Sequence, residues 1–190
     1  KCPKFCNDLE DADDIAEDMF KYIRDELKLF KGCVPNSTFY LSCFAYLHHG
    51  RLGLEASASP DGRNQGEALS ECLGPVQGRD KNGPLALVNS LSKLPQECGI
   101  GGLATNFRFS KKIMREKKQE IRALVKDFMR RGNFEMQFNV VDQATLEDAK
   151  KHPEKYRTLM VRVAGYSDYF VMLPPEIQNE IMKRLEHDDL

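Results

Sequence analysis

With 190 residues, 28 basic against 29 acidic side chains and a net charge of −1, the chain can bury a sizeable core and has no charge excess that would draw it to nucleic acid. No apolar run approaches a membrane span and the charged start "KCPKFCNDLEDADD" lacks a signal-peptide core, so a cytoplasmic location away from any membrane is expected. The six scattered cysteines suit reduced thiols better than a disulfide scaffold, and Cys2 and Cys6 have no second close pair to complete a metal site.

In chain order, Ile15, Met19, Phe20, Ile23, Leu27 and Phe30 recur at helical spacing. Asp11, Asp13 and Asp14 sit at the positive end of that helix's dipole and Gly32 follows its end, so an amphipathic helix is expected. The aromatic-rich segment 37–47 fits a buried strand or an apolar helix, and periodicity does not separate the two. Residues 50–104 are rich in Gly and Pro, with sustained apolar character only in "LALVNSLSKL". The recurrent Leu, Val and Ile there predict ordered loops packed on a larger body. Ile121, Leu124, Val125 and Phe128 mark a second amphipathic helix ending at Gly132, its basic face solvated.

Next, Phe134, Met136, Phe138 and Val140 alternate with Glu135, Gln137 and Asn139, the period of a half-buried strand with its apolar residues inward. A short helix over about 145–152, stopped by Pro153, leads to a second strand at about 158–163 that runs into Gly165. The helical connection fits a crossover, with an antiparallel return as the alternative. Pro174 and Pro175 then start a closing helix whose apolar stripe is Ile177, Ile181 and Leu185. Gly165 therefore lies in a strand–loop–helix corner, where a glycine ordinarily serves a positive φ or a close backbone approach.

The sequence around it points further. "VRVAGYS", an apolar and aromatic pair, then "LPPEIQNEIMKR" resemble the C-terminal signature of the glycyl radical enzymes. The blocks "FEMQFNVVDQATLEDAKKHPEKYRTLMVRVAGYSDYF", "ASPDGRNQGEAL", "GPLALVNSLSKL" and "PKFCNDLEDADDIAEDMF" are similar to blocks of the same family in the same order, so the likeness covers essentially the whole chain. It is nearer to the dehydratase, decarboxylase and alkylsuccinate-synthase members than to pyruvate formate-lyase itself. Three positions depart from the family pattern: Cys6 stands where glycine is usual, Asp168 where small residues are common, and Leu85 where threonine often follows Gly-Pro.

The resemblance implies an α/β fold that forms the C-terminal portion of a glycyl radical enzyme barrel, with 1–104 belonging to the enzyme body and 105–190 forming the glycyl radical domain. It implies that Gly165 holds a backbone radical, and that Arg162, Val163, Ala164, Tyr166 and Ser167 form the loop an activating enzyme recognises. No bound cofactor is implied. The radical is a post-translational modification installed by a partner carrying an iron–sulfur cluster and S-adenosylmethionine, and other implied partners are the rest of the enzyme body and, in the full protein, a second copy. The implied thiyl cysteine lies outside this chain: Cys33 in "KGCVPN" is followed by Pro35 two residues on and reads as structural, as do Cys43, Cys72 and Cys98. Arg63 in "PDGR" fits a loop-organising role or an anion contact, the first being preferred, and Asn139 and Asp142 read as strand-end polar groups. The alternative from another class is a free-standing radical-bearing subunit that complements a damaged or truncated enzyme. In either case the chain is expected to be inactive alone.

Overall fold

A computed structural model describes residues 2–190. Its centre is a three-stranded parallel sheet made of β1 (Ala104–Phe109), β2 (Glu135–Asn139) and β5 (Glu186–His187), with β1 in the middle. Parallel neighbours need a long crossover, and between β1 and β2 it is supplied by α4 (Lys111–Glu116) and α5 (Lys118–Arg130). Ser110 caps the first of these, its hydroxyl accepting the Ile113 N–H at 3.3 Å. After β2 come α6 (Gln143–Lys151), the antiparallel hairpin β3 (Met160–Arg162) and β4 (Ser167–Tyr169), a single 3₁₀ turn (Phe170–Met172) and α7 (Pro175–Lys183).

Strand β1 is buried along its whole length, which an alternating chain can satisfy only if both faces are covered. One face carries Phe107 and Phe109, which both stack with Phe138 of β2, and Phe107 also meets Phe128 of α5 edge-on. Leu87, Val88 and Leu91 of α3 (Gly83–Leu91) complete this core, so it draws on both sides of residue 104. The opposite face carries Asn106 and Arg108, paired in register with Gln137 and Asn139. Beyond that polar layer a second apolar cluster joins Leu146 and Ala149 of α6, Val161 and Val163 of the hairpin, and Ile177 and Ile181 of α7.

Several expectations change at this level. Strand β2 packs Met136 and Phe138 on the aromatic core as expected, but it buries Gln137 and Asn139 as well, because its polar side lies under the hairpin rather than under water; Phe134, just before the strand, is exposed. The second strand does not cross over into the sheet; it folds back on β4, so a short strand stands between the glycine loop and the closing helix. Leu185 is half-buried just past the end of that helix, outside its stripe. Segment 37–47 is neither helix nor regular strand: it runs extended along residues 99–103, joined by a bridge between Cys43 and Leu103 and by the Gly101 N–H bonded to the Leu41 carbonyl. The residues "HHGRLGLE" that follow form α2 (His48–Glu55), seated so closely on α7 that a Cβ at Gly50 would come within 2.5 Å of Ile177 Cδ1.

The first helix, α1 (Glu10–Leu29), forms as expected, but its apolar stripe points outward, with Ile15 63%, Met19 60% and the adjoining Phe30 62% exposed. Phe20 and Asp13 face the core instead, Asp13 accepting a 2.7 Å bond from Lys93. The loops between α2 and α3 are ordered by buried polar groups. Arg63 donates to the carbonyls of Asn64 and Glu67 at 3.1 and 2.8 Å and to that of Ser57, which is the loop-organising role. At Cys6 the backbone is left-handed, φ +71°, so the thiol side chain stands at a position whose conformation favours glycine. Among the described residues, no helix is long and apolar enough to cross a membrane.

Phe107 is fully buried at the meeting of sheet and helices, so Phe107→Ala should cost about 3–5 kcal/mol of folding free energy. Urea titration should register this as a fall in midpoint with little change in slope.

Candidate functional site

Gly165 lies at the tip of the β3–β4 hairpin, where the Val163 N–H donates to the Tyr166 carbonyl at 2.8 Å and closes the turn. Its φ is +85°, a region that a side chain disfavours. A Cβ here would also fall inside the ring of Phe44, which lies across the glycine. Tyr46 packs edge-on against Phe44, with centroids 4.8 Å apart, and stands 5.9 Å from the ring of Tyr166. Three aromatic rings thus cover one side of the turn.

The other side is held by the polar face of the sheet. Asn139 brackets Arg162, its amide donating to the Arg162 carbonyl and accepting from the Arg162 N–H, both at 2.7 Å. Gln137 Oε1 accepts from the Gly165 N–H at 3.1 Å and from Arg162 Nε at 3.0 Å. Asn106 donates to the Val163 carbonyl at 3.2 Å, and Arg184, just beyond α7, donates to the same carbonyl at 2.8 Å and to the Arg162 carbonyl at 3.2 Å. A turn tip has no regular partners for these groups, so side chains satisfy the need that buried backbone polar groups always present.

A buried arginine must itself be paired. Arg184 forms a two-pronged bond to Glu180, both contacts at 2.8 Å, and Glu180 is met from the far side by Gln77 at 2.9 Å and His49 at 3.4 Å. Burial alone would raise the pKa of Glu180, but Arg184 and His49 outweigh it and hold the carboxyl down at about 2. Burial likewise works against the Arg184 charge, and Glu180 and Glu71 more than offset it, raising its pKa. Glu71 is different. Burial dominates there, Arg184 only partly counteracting it, and the pKa rises to about 7 although Asn106 donates to Glu71 Oε2 at 2.7 Å.

All the loop residues singled out in the sequence, Arg162, Val163, Ala164, Gly165, Tyr166 and Ser167, are therefore on one hairpin. Val163 and Ala164 are buried, Ser167 is exposed, and the Tyr166 hydroxyl pKa is raised by burial and then by Asp168. Asp168 accepts from the N–H of Tyr169 at 2.7 Å, while Leu85 is exposed on α3. Asp142 serves structure, pairing with Lys111 at 2.8 Å at the start of α6, and Cys33 is exposed in the segment after α1. The sequence reading missed Phe44, Glu71, Asn106, Gln137, Glu180 and Arg184 as site residues. The one available signal was polar residues at alternate positions of a strand whose neighbours were themselves apolar.

The hairpin falls inside a segment, residues 69–171, that matches the family model described as glycine radical. The chain belongs to the glycyl radical family. A probable dehydratase of Escherichia coli is 34% identical over 97% of this chain, and an indoleacetate decarboxylase of Tractidigestivibacter scatoligenes is 35% identical over 100% of it. Among solved structures, the glycerol-bound B12-independent glycerol dehydratase of Clostridium butyricum superposes with a TM-score of 0.94 at 32% identity over 100% of this chain. This places the mixed α/β fold among those of glycyl radical enzymes. The chain spans only 22–24% of the length of these relatives.

Folding raises the Glu71 pKa from 4.5 to about 7. Between those values the native state holds more protons than the unfolded state, so this group makes stability fall as pH rises from about 4.5 to about 7. Glu71→Gln should remove that slope and be more stable than the parent above pH 7, by about 3 kcal/mol. Urea midpoints measured for both proteins from pH 5 to 8 check this; parallel curves would contradict it.

Proposed function

We propose that this chain is the C-terminal, radical-storing portion of an anaerobic glycyl radical enzyme of the lyase type, with Gly165 as the radical site. The observation that carries the reading is the Gly165 turn itself: a left-handed glycine with no room for a Cβ, its N–H and the nearby Arg162 and Val163 carbonyls bonded to buried side chains, inside the matched family segment. Loss of a hydrogen atom from its Cα leaves an unpaired electron shared with the flanking amide nitrogen and carbonyl. That sharing needs a locally planar backbone which a side chain would crowd.

In this reading an activating enzyme with an iron–sulfur cluster and S-adenosylmethionine generates a deoxyadenosyl radical, which takes the Gly165 hydrogen and becomes deoxyadenosine. Arg162, Val163, Ala164, Tyr166 and Ser167 form the loop presented to it. When substrate is bound, Gly165 regains a hydrogen from a cysteine thiol outside this chain, and the thiyl so formed begins the reaction. Residues 105–190 act as the radical domain and 1–104 as part of the body, in a cytoplasmic enzyme that pairs with a second copy and is inactive as this portion alone. The outward apolar stripe of α1 supports a larger body, since Ile15, Met19 and Phe30 form a face that the remaining three-quarters of such a protein would cover. Likeness to the relatives extends through the body blocks as well as the loop, which favours this reading over a free-standing subunit.

Anaerobic incubation of the full-length enzyme with its activating enzyme should give a glycyl signal by electron paramagnetic resonance. Gly165→Ala should abolish the signal while far-ultraviolet circular dichroism is retained. A signal that survives in Gly165→Ala places the radical elsewhere.

A further inference from the structure

Gln137 differs from the other polar side chains around the turn in bonding to the Gly165 N–H itself. It is 4% exposed, and the two ends of its amide have separate tasks. Its Nε2 donates to Glu135 Oε1 at 2.5 Å, and its Oε1 accepts from both the Gly165 N–H and Arg162 Nε. A flipped amide would set an NH₂ group against two other donors and its oxygen against a carboxylate, so the orientation is fixed by chemistry. Arg162 Nη2 lies 3.6 Å from the same Glu135 oxygen, which closes a ring of carboxylate, amide and guanidinium to which the glycine N–H is joined at Gln137 Oε1. Asn139, by contrast, spends both ends of its amide on Arg162.

We propose that Gln137 is a positioning residue for the radical: its Oε1 fixes the plane of the Gly165 amide and, by accepting the N–H, strengthens electron donation from nitrogen to the Cα. The proposal rests on the reading of Gly165 as the radical store. An acceptor on the N–H makes the amide nitrogen more electron-rich, and chained hydrogen bonds reinforce one another, so the Glu135–Gln137 link increases the effect. More unpaired spin then resides on nitrogen, and the radical persists longer. No bond at Gln137 forms or breaks; it acts only through the orientation and polarisation of the Gly165 peptide.

The test uses the full-length enzyme, labelled with ¹⁵N-glycine and activated anaerobically, in three forms: the parent, Gln137→Leu, and the exchanged pair Glu135→Gln with Gln137→Glu. The exchanged pair keeps the link between the two side chains but puts a stronger, carboxylate acceptor against Gly165. The nitrogen hyperfine coupling should fall in Gln137→Leu and rise above the parent in the exchanged pair, with radical half-life following the same order. Hydrogen–deuterium exchange at the Gly165 amide, read by mass spectrometry without activation, should be about tenfold faster in Gln137→Leu, the factor expected for one lost bond of ordinary strength. A merely structural role would move both variants in the same direction, and that result, or a coupling unchanged in both, overturns the proposal. Should Gln137→Leu fail to fold, the exchanged pair decides alone, since a coupling no larger than the parent's is the overturning result. A parent enzyme with no glycyl signal refutes the reading of Gly165 and this proposal together. A normal parent signal with unresponsive variants refutes only the role of Gln137.

Discussion

A hairpin tip has no strand beside it to take its peptide groups, so its position is defined only as well as other side chains define it. Here the carbonyls of Arg162 and Val163 are each held twice, once from the sheet by Asn139 or Asn106 and once by Arg184. Arg184 can remain charged there because Glu180 answers it with two bonds, and Glu180 is in turn backed by Gln77 and His49 from elements far away in sequence. The fold's layers follow from this need. The sheet has one aromatic face that builds a core and one amide-bearing face that builds the site, and α7 is packed where its C-terminal arginine reaches the loop.

The amphipathic helices at 118–130 and 175–183, the short helix near 145 and the location of the glycine loop were legible because each rests on local periodicity or on Gly and Pro punctuation. What was not legible depends on which surface lies opposite. Gln137 and Asn139 read as a solvent face because alternation reports two environments without saying which is water, and here both sides are covered. Strand β1 escaped notice for a related reason: "ATNFRF" mixes apolar and polar residues, and only a two-sided burial makes a strand of it. The outward stripe of α1 is the mirror image of that misreading, since an apolar face predicts burial but not which partner provides it.

The charge pattern under the loop is lopsided in a useful way. Of the two buried carboxyls, Glu180 is kept ionised by Arg184, whereas Glu71 sits near neutrality with its pKa at about 7. One guanidinium therefore faces one committed negative charge and one that changes with pH. Two fully charged carboxylates beside a single arginine would leave an uncompensated charge in the interior, and the raised pKa of Glu71 is how that cost is avoided.

The hairpin looks like a portable cassette, ten residues with a glycine at the centre. The side chains that hold it, however, come from 106, 137, 139 and 184, and its aromatic cover from 44 and 46. Transplanting residues 160–169 onto another scaffold would move the glycine and leave behind everything that restrains it. A transferable unit would have to carry the sheet, its closing helix, the segment with Phe44, and the stretches that bring Glu71, Gln77 and His49 to the network.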